Sequence, residues 1–135
     1  MTREAAPPGS YSSRFDLVAL TSVRRAVETW LSRTDLSDER AGDTTTAVTE
    51  MLGNAIKHGG GGGTLHLSLI ARGVRCVISD EGPGLPDRLD RHQAHRPDPA
   101  AEGGRGLWLA FALCTVVRLS STIRGTRVEL IVDLP

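Results

Sequence analysis

The sequence lacks a net charge, because sixteen acidic residues balance sixteen lysines and arginines. Proteins that bind nucleic acid or anionic membranes need a basic field or patch, so any anionic ligand of this chain has to be held locally. Long apolar runs are also missing, and the amino terminus has no signal-peptide pattern. We therefore expect a cytoplasmic protein with no direct nucleic-acid partner and no membrane partner.

Cysteine is scarce, and lysine is scarcer. Cys76 lies in an alternating apolar run and Cys114 in a helical one, which predicts buried free thiols without the paired spacing of a zinc site or disulfide framework. Lys57 is the only lysine, and it precedes the run of five glycines at 59–63. A Walker-type phosphate loop needs a lysine directly after its last glycine, so this glycine run is not such a loop.

The length and the fractions of apolar and charged residues are typical of one soluble globular domain. Residues 1–10 include Pro7, Pro8 and Gly9 and predict a disordered tail, and residues 11–135 form the domain. Two segments have the apolar spacing of amphipathic helices. The first has its apolar residues at Leu20, Val23, Val27, Trp30 and Leu31. The second follows a capping Ser37 and should end at residue 58 or 59.

Alternating apolar and polar residues predict five strands. They cover residues 11–17, a hairpin of 64–69 and 74–79, and the pair 116–123 and 126–134. A third helix is predicted over 106–114, and residues 82–102 read as a long mobile loop. This order favours an α+β two-layer sandwich, in which a mixed, mainly antiparallel sheet has helices on one face.

The stretch TEMLGNAIKHGGGGG, residues 49–63, combines polar side chains with an apolar helix face. Glu50, Asn54 and His58 are spaced four residues apart and therefore line one edge of the second helix. Such a row is either a solvated flank or part of a site, and the spacing alone leaves both open. The glycines that follow predict the end of the helix and a flexible connection into the hairpin.

Two further stretches contain residues that are suited to binding a ligand. In ISDEGPGLP, residues 78–86, Asp80 is predicted on the helix-covered side at the end of a strand, where a carboxylate needs a partner. Gly82 and Gly84 then allow close approach of backbone to a flat ligand, although a plain strand-end turn explains the stretch equally well. In GGRGLWLA, residues 103–110, glycines before a helix expose amides suited to an anion.

Taken together, these stretches resemble the three nucleotide-binding motifs of the GHKL superfamily, the Bergerat-fold ATPases that include gyrase, Hsp90 chaperones, histidine kinases and MutL. The motifs are Glu-x-x-x-Asn on a helix, Asp-x-Gly-x-Gly after a strand, and Gly-x-Gly-Leu at a helix start. The resemblance spans residues 15–135. It is strongest to small actinobacterial histidine-kinase-like ATPases, which are related to anti-sigma factor serine/threonine kinases.

The resemblance implies ATP and Mg²⁺ as ligands. It makes Glu50 the general base, Asn54 the metal ligand, and Asp80 the acceptor for the adenine amino group. It also implies that the following residues contact the nucleotide: His58, Gly82, Gly84, Gly104, Arg105, Gly106, Leu107 and Thr126. The loop 85–102 corresponds to the ATP lid. His92 and His95 within it lack further ligands, which favours a solvated loop over a metal site.

The function implied is a regulatory protein kinase that phosphorylates a serine or threonine of an antagonist protein and binds a sigma factor. Dimerisation is an expectation that rests on the anti-sigma relatives alone. Two alternatives stay open: a nucleotide-binding module that sequesters a partner without phosphotransfer, and the detached catalytic domain of a two-component system. Against the latter, no histidine-bearing helix hairpin is predicted ahead of residue 11.

Overall fold

A computed structural model describes residues 9–58, 60–82, 112–114, 116–122 and 125–135. Within these residues the chain forms two helices and one five-stranded sheet, which confirms the predicted α+β sandwich. The elements are β1 (Tyr11–Asp16), α1 (Leu20–Ser32), α2 (Asp38–His58), β2 (Gly62–Ile70), β3 (Gly73–Asp80), β4 (Val116–Thr122) and β5 (Gly125–Asp133).

The strands lie in the order β1-β2-β3-β5-β4, and every neighbouring pair is antiparallel. The sequence predicted a mixed, mainly antiparallel sheet, and none of the four described strand pairs is parallel. The described strands therefore make a purely antiparallel sheet.

Both helices begin where the sequence indicates. The Asp16 Oδ1 accepts the Ala19 N–H at 2.8 Å and turns the chain from β1 into α1. The Ser37 Oγ accepts the Arg40 N–H at 3.1 Å, which is the predicted cap of α2. At its other end α2 stops at His58, as predicted.

The core lies between the two helices and one face of the sheet. Its largest fully buried side chains are Leu31, Leu52, Leu65, Leu67 and Leu130. Cys76 is buried and Cys114 half-buried, and both are free thiols, as predicted. Burial raises the pKa of Cys114 to about 12 and that of Cys76 further still, so both remain protonated near neutral pH.

The predicted tail and the predicted third helix lie largely outside the described residues. Of the tail, Gly9 is described, and its carbonyl accepts a hydrogen bond from Trp30 Nε1 at 2.6 Å. Of the third helix, Ala112 and Leu113 have helical backbone, and Leu113 packs against the core. None of the helices that the structure describes has the length and apolarity to cross a lipid bilayer.

The sheet face opposite the helices is called the open face here. At its centre Glu129 is only 5% exposed, and its carboxylate accepts hydrogen bonds from Arg75 and from Arg118, the latter at 3.2 Å. The hydrogen bond from Arg75 holds the pKa of Glu129 below its usual range, against the opposing effect of burial, and the charges of Arg75, Arg118 and Arg127 add to it. This cluster ties β3, β5 and β4 together on the open face.

Replacing this carboxylate tests its contribution. We expect Glu129→Gln to lower the free energy of unfolding by about 1–3 kcal/mol at neutral pH, because charge-assisted hydrogen bonds are lost. Since the folded pKa is depressed, the stabilisation by Glu129 is present above its unfolded pKa of about 4.5 and is lost as pH falls through the folded value. Urea unfolding at several pH values should therefore show less acid destabilisation in Glu129→Gln.

The control is Asp133→Asn, which removes the exposed ion pair with Arg72. Exposed pairs contribute about 1 kcal/mol or less, so this change should be the milder of the two. Equal effects of the two substitutions would contradict a special role for Glu129.

Candidate functional site

Asp80 is the last residue of β3 and lies on the helix-covered side of the sheet. Its register partners are Gly63 on β2 and Thr126 on β5. The half-buried side chain accepts two backbone hydrogen bonds, from Gly82 N–H at 3.0 Å and from Thr126 N–H at 3.3 Å, both at Oδ1. Within the described part of the chain, Oδ2 accepts none. Backbone N–H groups thus orient the carboxylate through a single oxygen.

The backbone around Asp80 is held closely between two glycines. A Cβ at Gly63 would lie 2.0 Å from the Ser79 carbonyl oxygen, and a Cβ at Gly125 would lie 2.0 Å from the Asp80 carbonyl oxygen. Gly125 also has a φ of +147°, which disfavours other residues. We call Gly63 and Gly125 the glycine clamp. No side chain fits at either position unless the end of β3 moves.

The glycine run after α2 has two structural roles. Gly60 and Gly61 have φ values of +86° and +100° and turn the chain out of the helix, as predicted. Gly62 and Gly63 belong to β2, so the prediction of a slack connection up to residue 63 was wrong for this half. A Cβ at Gly60 would lie 3.5 Å from the Gly82 Cα, which shows that the run also meets the chain just beyond Asp80.

The predicted polar row lies along α2 and leads to this point. Glu50 and Asn54 are half-buried, whereas His58 is exposed at the end of the helix. Glu50 lies about 12 Å along the helix axis from His58, and Asn54 about 6 Å. The turn at Gly60, directly after α2, lies close to the backbone at Gly82. The structure thus brings the end of α2 next to the chain that follows Asp80.

Thr126 confirms the predicted strand parity. It is 8% exposed and lies on the same face as Val128, Leu130 and Val132. Its backbone N–H is one of the two donors to Asp80. Asp80 on β3 and Thr126 on β5 are therefore neighbours joined by a hydrogen bond.

Residues 14–132 match the family model of the histidine kinase-like ATPase domain. The chain belongs to this family. The match covers most of the chain, and membership implies ATP binding. The structure is consistent with this family membership, since Asp80 and Thr126, which the sequence predicts as GHKL motif residues, are register partners on β3 and β5. No curated protein sequence matches the chain significantly.

Several solved structures share the fold. The structure of the RsbU and RsbW domains of Rv1364c from Mycobacterium tuberculosis has a TM-score of 0.64 at 20% identity, over 96% of this chain and 33% of that one. The histidine kinase domain of the Erythrobacter litoralis EL346 blue-light activated histidine kinase has a TM-score of 0.60 at 19% identity, over 87% and 60%. The chain therefore spans a third and three fifths of the lengths of these two structures.

A smaller histidine kinase structure matches over nearly its whole length. The mycobacterial sensor histidine kinase MprB has a TM-score of 0.52 at 20% identity, over 93% of this chain and 99% of that one. Identities of this size establish the shared fold of the histidine kinase-like ATPase domain and nothing finer.

The remaining predicted site residues lie outside the described residues. They are Gly84, Gly104, Arg105, Gly106 and Leu107, together with the loop 85–102 that contains His92 and His95. Among the described residues, no three His, Cys, Asp or Glu side chains form a metal-binding group.

The glycine clamp gives a test of how the site is built. We expect Gly63→Ala to lower the free energy of unfolding by about 1–3 kcal/mol, because its Cβ has to displace the Ser79 carbonyl. The matched control is Gly42→Ala in α2, where a Cβ meets nothing within 4 Å. That substitution should stabilise by about 0.5–1 kcal/mol through helix propensity. Urea unfolding of both variants measures the difference, and a neutral Gly63→Ala would refute the clamp.

Proposed function

We propose that this domain is an ATP- and Mg²⁺-dependent protein kinase of the anti-sigma type. It transfers the γ-phosphate of ATP to a serine or threonine of an antagonist protein, and it binds a sigma factor. The observation that carries the proposal is the Asp80 carboxylate, which two backbone N–H groups hold through Oδ1 beside the turn that follows α2. The family supports ATP binding, and the motif resemblance supports the anti-sigma class.

The adenine end of the site is assigned to Asp80. An exocyclic amino group donates hydrogen bonds, and Asp80 Oδ2 is an acceptor without a partner among the described residues. Gly82, which is buried, lets the chain pass close to a flat ring, and Thr126 lies behind that position. Gly84 continues the same stretch in the sequence. This end of the site therefore selects a base with an amino donor.

The phosphate end is assigned to α2. ATP lying along the helix from Asp80 would pass His58 first, then Asn54 and finally Glu50, because this is their order along the axis. The Asn54 amide oxygen suits Mg²⁺, which prefers oxygen ligands and keeps phosphates and water for its other positions. Bound Mg²⁺ would neutralise phosphate charge. The amides of Gly104, Arg105, Gly106 and Leu107, where the sequence predicts the start of a helix, are proposed to hold the phosphates.

Glu50 is proposed as the general base. Its carboxylate takes the proton of the attacking serine or threonine hydroxyl as the new O–P bond forms, while the bond from the γ-phosphorus to the bridging oxygen breaks and ADP leaves with that oxygen. Phosphoryl transfer depends mainly on positioning and charge stabilisation, so one base and one metal ligand are sufficient chemistry for a small domain. A module that only bound nucleotide would not need this carboxylate.

Asp80→Asn tests the adenine contact without removing the bonds that orient the side chain. The amide oxygen can still accept from Gly82 and Thr126, whereas the NH₂ group replaces Oδ2 and cannot accept the adenine amino hydrogen. We expect ATP affinity by calorimetry to fall by about 10- to 100-fold, with thermal stability retained. Asp80→Ala should lose both ATP affinity and thermal stability. Unchanged ATP affinity in Asp80→Asn would exclude the adenine contact.

Glu50→Ala separates the kinase from a binding module. Incubating the purified protein with labelled ATP, Mg²⁺ and candidate antagonist proteins should give phosphotransfer that falls about 10²- to 10⁴-fold in Glu50→Ala. ATP affinity should persist, because the base does not hold the adenine. The control is Glu28→Ala, which removes an exposed carboxylate from α1 and should leave transfer unchanged. ATP binding by the unaltered protein without transfer to any partner would favour the sequestering module instead.

A further inference from the structure

The open face of the sheet carries a straight row of polar side chains across four strands. Arg14 on β1 pairs with Thr64 on β2, Thr64 pairs with Ser79 on β3, and Ser79 pairs with Arg127 on β5. We call these four residues the basic row. Because neighbouring strands lie about 4.8 Å apart, the row is about 14 Å long between its two arginines.

The row carries positive charge without a compensating acid of its own. Arg14 and Arg127 are exposed, and within the described part of the chain neither guanidinium has an ion-pair or hydrogen-bond partner. On this face Asp16 lies two residues along β1 from Arg14 and accepts the Ala19 N–H, and Glu129 lies two residues along β5 from Arg127. Glu129 already accepts hydrogen bonds from Arg75 and Arg118. Arg75 and Arg118 thus engage Glu129, while the guanidinium groups of Arg14 and Arg127 stay exposed.

A groove of about 410 Å³ runs beside the basic row over β1, β2 and β3. Arg14, Thr64 and Ser79 line it, and Val77, which is 9% exposed, contributes apolar surface. His66 also lines the groove, and its Nδ1 is hydrogen bonded to Ser12 Oγ. The groove thus offers hydroxyl and guanidinium donors above an apolar patch.

We infer that the basic row and its groove bind an extended acidic segment of a protein partner. A chain in β conformation rises about 3.3 Å per residue, so a row of about 14 Å matches roughly four residues, with acidic side chains meeting Arg14 and Arg127 at its ends. The hydroxyls between them can donate to the segment's carbonyl or carboxylate oxygens. Arginine clusters are a recurrent means of recognising acidic motifs.

This surface is independent of the proposed kinase activity. Ser79 precedes Asp80 and Arg127 follows Thr126, and successive strand residues point to opposite faces. The basic row therefore lies directly behind the Asp80 site, with the sheet between them. An acidic segment bound there leaves the nucleotide face accessible, and its binding does not require that ATP be hydrolysed or even bound.

The test uses the full chain and a fluorescein-labelled oligoglutamate peptide, with oligoglutamine as the neutral reference. The double variant Arg14→Gln/Arg127→Gln removes both ends of the row. Its matched control, Arg24→Gln/Arg25→Gln, removes two exposed arginines from α1 on the other side of the molecule. By fluorescence anisotropy at low salt we expect oligoglutamate affinity to fall about tenfold or more in the first variant and to stay unchanged in the control.

Backbone amide NMR gives the location of binding. Oligoglutamate should shift the resonances of Thr64, Val77 and Ser79 in the unaltered protein, and thermal unfolding should show that both double variants remain folded. Equal loss of affinity in both variants, or equal binding of oligoglutamine, would overturn the inference. Full displacement of the peptide by millimolar inorganic phosphate would overturn it as well, because the groove would then be a small-anion site.

Discussion

The close approach of backbone on both sides of Asp80 is the constraint on which the candidate site depends. Gly63 and Gly125 lack side chains where a Cβ would collide with the carbonyl oxygens of Ser79 and Asp80. Because β2 and β5 lie close to the end of β3, the Asp80 carboxylate accepts hydrogen bonds from the N–H groups of Gly82 and Thr126 through a single oxygen. A larger residue in either flanking strand would push the end of β3 away and misplace the acceptor. The position of the Asp80 carboxylate thus requires glycine at one site in each of the two neighbouring strands, Gly63 in β2 and Gly125 in β5.

Much of the fold could be predicted because burial leaves a periodic trace. Each strand that faces the helices on one side alternates apolar and polar residues, and this alternation correctly placed Thr126 on the buried face. The cap at Ser37 and the end of α2 at His58 were predictable from local chemistry. The order of strands was not, because the insertion of β5 between β3 and β4 is a property of pairing between distant segments.

The parts of the site that could not be predicted are not marked by any periodic pattern of apolar residues in the sequence. In the sequence, the glycines at 59–63 are alike, and only their φ values and contacts separate the two that turn the chain from the two that enter β2. Gly125 reads as an ordinary hairpin residue until its approach to Asp80 is known. Glu129 was missed for a related reason: a charged residue at an outward strand position reads as solvated. In the folded sheet it is buried and forms ion pairs with Arg75 and Arg118 on the adjacent strands.

The hydrogen bond between Thr126 and Asp80 joins residues that are 46 positions apart. Its donor is on β5, and β5 has to pair with β3 before this bond can form. During synthesis, β3 leaves the ribosome well before β5, so the Asp80 carboxylate gains its donor from Thr126 only after the later segment has been made. The two-donor arrangement at Asp80 is consequently complete only when the sheet has closed in its final order.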